Sequence, residues 1–265
     1  MFERLLGRFK RGDPRAARDE LPIDQPTVGL CFEYVRGIDY TSPYLADAGL
    51  DHILKALETR GLRATFSCPA KLCETAPDRI AQIVEAGHEI LPLGYADESV
   101  RDLTDDAIKQ LVYTCRRAFE KRGVHPVGFR APRSSWDERL CGELARQHFL
   151  YNAEHDHARR PYVLIPGTPP LVRLPIRTDD RGLRRSENAH DATVSKHLRL
   201  IRKAKQQCRF VCVCFHPWLL AEEMERMEHW ESWIDLAART GARLVALEDA
   251  LPRNPPPPPP PSTET

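Results

Sequence analysis

The sequence lacks several features, and each absence narrows its reading. No apolar run approaches the roughly 20 residues that span a bilayer. No N-terminal stretch sets a basic head before an apolar core. MFERLLGRFKR mixes charged and apolar residues throughout, so it does not read as a secretory signal. No charge sign dominates: 39 Lys and Arg meet 38 Asp and Glu, for a net charge of +1. That balance argues against nucleic acid as the main partner, because phosphate binding calls for a basic excess or a strong basic patch. None of the eight cysteines forms a C-x-x-C pair, so the zinc-ribbon signature is missing. With no export signal, the expectation is a cytoplasmic chain whose thiols stay reduced and pack as small buried hydrophobes.

What is present is enough apolar material for one large domain, at 42% hydrophobic over 265 residues. Residues 1–20 read as a basic appendage. Within it Phe2, Leu5, Leu6 and Phe9 repeat at helical spacing among Arg4, Arg8, Lys10 and Arg11. Such a face suits peripheral membrane contact through residues 1–11, but four apolar residues also fit a solvated leader. Residues 253–265 carry the unbroken run Pro255–Pro261, an extended segment that suits an aromatic-lined partner groove or an inert tail.

Between these ends, residues 21–252 alternate short apolar runs with helical patterns. Strands are predicted at 27–33, 63–67, 88–91, 127–130, 149–152, 171–176, 210–215 and 243–247. Helices are predicted at 43–60, 76–86, 104–122, 137–147, 192–207 and 222–240, the last packing Met224, Met227, Trp230 and Ile234 into the core. This β-α rhythm predicts an α/β fold with a mainly parallel sheet closed, or nearly closed, into a barrel. Chemistry in such barrels sits at the carboxyl-terminal strand ends.

Those ends carry Cys31-Phe32-Glu33-Tyr34, then Gly87-His88-Glu89-Ile90 with Tyr95 and Asp97 beyond it. They also carry Gly128-Phe129-Arg130-Ala131-Pro132 with Trp136, a Tyr151-Asn152 strand followed by Arg160-Pro161-Tyr162, and His216-Pro217-Trp218. In this order the landmarks resemble the polysaccharide deacetylase family with the NodB homology domain, on the branch of allantoinase-like and peptidoglycan-deacetylase-like members. The resemblance implies a distorted seven-stranded (β/α) barrel of glycoside hydrolase/deacetylase type. It implies metal-assisted removal of an N-acetyl group, with Glu33 as base, Arg130 orienting it and His216 as acid.

The chain departs from that pattern at the metal. The expected ligand positions are Tyr34 or Val35, then Leu93 and Asp97, and only Asp97 offers a carboxylate. Three protein ligands are the usual minimum for a catalytic zinc. No cofactor is therefore expected, and the first reading is a non-catalytic homologue that binds a glycan or small amide. Its catalytic trio Glu33, Arg130 and His216 would be vestigial, and Tyr34, Tyr95, Asp97, Trp136 and Trp218 would line the pocket. A second reading is an active deacetylase or ureide amidohydrolase with a shifted site at Glu33, Asp97 and His216. It would hold a divalent metal such as zinc, with His88, His155 or His157 as further ligands. A third is a scaffold acting through its proline tail. Glu33 and Arg130 also suit a purely structural ion pair at the barrel mouth.

Overall fold

The computed structural model describes residues 19–37, 41–184 and 187–251. The appendage helix at residues 1–11 and the tail Pro255–Pro261 lie outside the described residues.

Alternation along the first strand, β1 (Thr27–Glu33), sets the architecture. Val28, Leu30 and Phe32 join the outer core beneath the helices, while Cys31 joins an inner core with Leu91, Tyr151, Leu174, Cys212 and Cys214. A strand with both faces buried reads as a continuous apolar run, as this one does. β1 pairs in parallel with β9 (Phe210–Phe215) on one side. On the other it pairs with β2 (Thr65–Cys68) in its upper half and β10 (Arg243–Val245) in its lower half.

The circuit continues from β2 to β3 (Glu89–Pro92). A single parallel bridge, Leu93 to Arg130, leads on towards β4 (Gly128–Phe129). β4 pairs with β5 (Tyr151–His155), and β5 with β7 (Leu171–Ile176). After Arg177 the chain enters β8 (Thr178–Asp179), which pairs with β9 and closes the ring. With β7 and β8 sharing one position, the ring has seven, and the one-bridge junction between β3 and β4 is where it is distorted. The fold is thus the α/β barrel that the strand rhythm predicts.

The helices around the ring start where capping chemistry allows. Ser42 accepts from the Leu45 amide before α1 (Pro43–Thr59), which has proline at its first position. The short α2 (Leu72–Thr75) leads into α3 (Pro77–Glu85). Thr104 caps α4 (Asp105–Glu120), and Asp137 caps α5 (Glu138–Arg146). The last three are α6 (Glu187–Gln207), the short α7 (Pro217–Leu220) and α8 (Met224–Arg239).

Several expectations need correction. The strand expected at 149–152 begins at Tyr151, because His148 turns left-handed at φ 60° and the Phe149 amide closes the end of α5 on the Leu144 carbonyl. β6 (Tyr162–Ile165) runs antiparallel to β7 outside the ring, and it and β8 escape sequence patterning. Glu20 bridges to Tyr162, so the boundary drawn after residue 20 falls inside a pairing. Met224 stands 80% exposed at the start of α8 rather than in the core, while Met227, Trp230 and Ile234 are buried. All eight cysteines are free thiols, and seven are buried.

The amino-terminal end of the ring is closed by a polar plug. Glu89 is buried and accepts from the Tyr151 hydroxyl, from Thr65 Oγ1 at 2.5 Å and from the Glu248 amide at 3.1 Å. Gly128 makes room for that tyrosine, since a Cβ there would lie 2.1 Å from Tyr151 Cζ. Burial pushes the Glu89 carboxyl up to about 7. The folded chain therefore holds a proton there that the unfolded chain has released above 4.5. That stabilisation is complete below pH 4.5 and is lost as pH rises through 7. Glu89→Gln, whose amide can donate to Tyr151, should flatten the stability profile across this window, as read by urea unfolding at pH 5 and 7.5.

Candidate functional site

The same alternation decides which residues reach the carboxyl-terminal mouth. Glu33 and Val35 follow Cys31 on the inner face, whereas Tyr34 follows Phe32 outward and donates from its hydroxyl to Asp47 Oδ1 at 2.6 Å. Leu93 follows Leu91 inward in the same way. The mouth opens into a cleft of about 480 Å³ lined by Glu33, Val35, Leu93, Asp97 and Trp218, with Arg133, Arg181 and Arg184 among its other walls.

At the floor of the cleft a buried charge cluster surrounds Glu33. Its Oε2 lies 3.0 Å from Arg130 Nη2, and its Oε1 lies 3.1 Å from Arg181 Nη2 and 3.6 Å from His216 Nε2. Arg130 also donates to Cys214 Sγ at 3.0 Å. His216 is fully buried, and its Nδ1 lies 2.5 Å from Asp180 Oδ1. The other oxygen of Asp180 accepts from the His216 backbone amide at 2.8 Å, so one carboxylate fixes both the ring and the chain. Gly49 of α1 lets this loop approach, because a Cβ there would sit 2.0 Å from the Pro217 carbonyl oxygen.

These contacts set the protonation states. Burial alone would raise the Glu33 carboxyl, but Arg130, His216 and Arg181 outweigh it and hold Glu33 well below the usual carboxylate range. Burial alone would lower His216, yet Asp180 and Glu33 raise it to about 10, so it is an imidazolium at neutral pH. His155, at the end of β5, is pushed down to about 4 mainly by burial.

The structure thus brings Glu33, Arg130 and His216 together beneath the cleft and adds Asp97 and Trp218 to its lining. It does not bring in the others. Tyr95 donates to Glu74 Oε1 at 3.0 Å, and Trp136 lies under the Arg173 guanidinium at 3.9 Å, neither of them lining the cleft. His88 takes the Ala64 amide at the closed end, and His155 and Asp156 face Asp179 and Tyr162 separately. Asp180, Arg181 and Arg184 were missed. They lie in the turn that follows β8, a stretch with no hydrophobic period, and their partners are far away in sequence.

A metal fits this donor set poorly. Of the positions expected to hold it, Val35 and Leu93 have no donor atoms, and both oxygens of Asp97 take the Arg133 guanidinium. Glu33, Cys214 and His216 do place donor atoms within 4.8 Å of one another. Yet Glu33 is held by two guanidinium groups, Cys214 already accepts from one of them, and His216 carries a proton. A cation there would have to displace all three, since metal ligands must be deprotonated and free.

Comparison with known proteins follows the same lines. A model of the polysaccharide deacetylase family matches residues 22–151. A peptidoglycan deacetylase-like protein of Gibberella zeae is 32% identical over 182 residues, covering 62% of this chain and 53% of that protein. The chain thus spans about half the length of the curated relative it matches. PuuE allantoinase shares the fold at a TM-score of 0.72 and 17% identity, covering 89% of this chain and 92% of that one. A CE4-family pseudoenzyme of Bacillus anthracis shares it at a TM-score of 0.63 and 16% identity, covering 88% and 68%. Among the described residues no helix is long and apolar enough to cross a membrane. The polysaccharide deacetylase model thus matches just under half of this chain, residues 22–151, and the solved structures share its fold.

Proposed function

We propose that the cleft binds a glycan or small amide without metal-dependent hydrolysis, so that the protein is a ligand-binding homologue of carbohydrate N-deacetylases. The observation that carries this reading is the clamp on Glu33 by Arg130, Arg181 and protonated His216. Amide hydrolysis of the family's kind needs a Lewis acid to polarise the carbonyl and to lower the pKa of the attacking water. Here the positive charges beside Glu33 are guanidinium and imidazolium, which do neither to a bound water as a metal does. They also weaken Glu33 as a base, because a carboxylate held well below its usual range takes up a proton reluctantly.

A second reading, a hydrolase at Glu33, Asp97 and His216, is favoured by one observation. Glu33 is ionised and His216 protonated, the pairing that a general base and a general acid require.

Metal analysis and product detection separate the two. The purified protein dialysed against zinc or cobalt should retain no stoichiometric metal and release no acetate from tetra-N-acetylchitotetraose. Stoichiometric metal together with acetate release would overturn the binding reading. Conversely, Val35→Asp with Leu93→His and Asp97→His puts three donors on residues that line the cleft, and should create stoichiometric zinc binding. Tyr34→Asp in place of Val35→Asp should not, because Tyr34 faces α1.

A further inference from the structure

The walls of this cleft are rich in donors: Arg133, Arg181 and Arg184 line it, against two carboxylates, Glu33 and Asp97. The carboxylates of its lining, and those paired with its arginines and with His216, are already engaged. Glu33 takes Arg130 and Arg181, Asp97 takes Arg133, and Asp180 takes His216 twice. Glu222 accepts from Arg226 at 2.5 Å with one oxygen and faces Arg184 at 3.3 Å with the other. Asp179 accepts from the Arg181 amide at 3.2 Å and lies 3.7 Å from its guanidinium.

The donors are not used up. Beneath the cleft, Ser67 Oγ and Arg130 Nε are buried without a hydrogen-bond partner among the described residues, and His216 Nε2 has only its 3.6 Å ion pair with Glu33. Ser67 is paired in register with Glu33, on the same inner face as Thr65. Above them Arg184, 53% exposed, has one ion pair and lies 5.4 Å from the centre of the Trp218 ring. Arg133 projects from a turn in which it and Ser134 both hold φ near +50°, at 54° and 50°. Such left-handed backbone in non-glycine residues costs energy and collects at functional sites.

We propose that the cleft takes a carbohydrate bearing a carboxylate, with the acid group on Arg184 and Arg181 and the sugar face on Trp218. A carboxylate fits better than a neutral carbonyl, because planar guanidinium groups pair with it bidentately and aromatic faces take the apolar side of the sugar. The inference rests on the binding reading above and deepens it.

Calorimetric titration of the full chain with three probes tests it: tetragalacturonate, its methyl ester and N-acetylated chitotetraose. The ester keeps the sugar and removes the charge. The acid should bind roughly tenfold or more tighter than the ester, and high salt should weaken it. Arg184→Ala should cost about tenfold for the acid and little for the ester, with Arg184→Lys recovering part of the loss. Arg184 is half-exposed, and circular dichroism of each variant checks that the barrel is intact. Equal affinity for acid and ester overturns the inference, and binding of the N-acetylated chitotetraose beside it leaves the broader reading standing. Failure of all three to bind overturns the inference. Acetate release from the N-acetylated chitotetraose by metal-loaded protein overturns the reading on which it rests.

Discussion

Glu33→Ala should destabilise the protein by about 3–5 kcal/mol, measured by urea unfolding at pH 7. The carboxylate is the shared counter-ion of Arg130, which is 2% exposed, and of His216, which is fully buried. Removing it leaves two positive charges under the barrel mouth with one partner fewer. The cost of a broken buried pair is the desolvation of the charge left behind, which exceeds what the pair contributes when whole. Arg181→Ala, by contrast, removes a half-exposed partner and should cost less than about 1 kcal/mol. A loss below 1 kcal/mol for Glu33→Ala would mean that Arg130 finds water or another anion. The charge cluster would then not be the fixed assembly described above.

Stability should also fall as the solution becomes alkaline, because of His216. Its pKa is about 10 in the folded chain against 6.5 for the ordinary side chain. Between those values the folded state binds a proton that the unfolded state has released. The contribution is therefore complete below pH 6.5 and disappears as pH rises through 10, at about 1.4 kcal/mol per pH unit. Other groups titrate in the alkaline range, so the measurement is a difference. Asp180→Asn removes the anion on Nδ1, and its unfolding free energy should approach that of the native sequence as pH goes from 7 to 10. Parallel profiles for the two proteins would show that His216 is neutral in the fold. Glu33 acts at the other end of the scale. Its depressed carboxyl gives stability that is present above 4.5 and lost on acidification.

Much of the barrel could be read from the chain alone. Strands 27–33, 171–176 and 210–215 fall where the apolar runs place them, because both faces of a parallel barrel strand are buried and leave a continuous signature. The helices predicted to begin at 43, 104 and 137 begin there to within a residue, where Ser42, Thr104 and Asp137 cap them locally. Of the site, Glu33, Arg130 and His216 could be named from their strand ends. β8 could not, since two residues carry no period. Asp180 and Arg181 went with it, their partners lying 36 and 148 positions away.

The sequence by itself determined the barrel and which residues stand at its strand ends, because these depend on local patterning and on residue identity. Only the tertiary structure decided what stands at the mouth instead. Whether Glu33 is a free base or a clamped counter-ion depends on Arg130, the adjacent pair Asp180 and Arg181, and His216 reaching one low-dielectric point from three separate segments. Coulomb energies there vary with distance and burial. Both quantities exist only once the ring has closed.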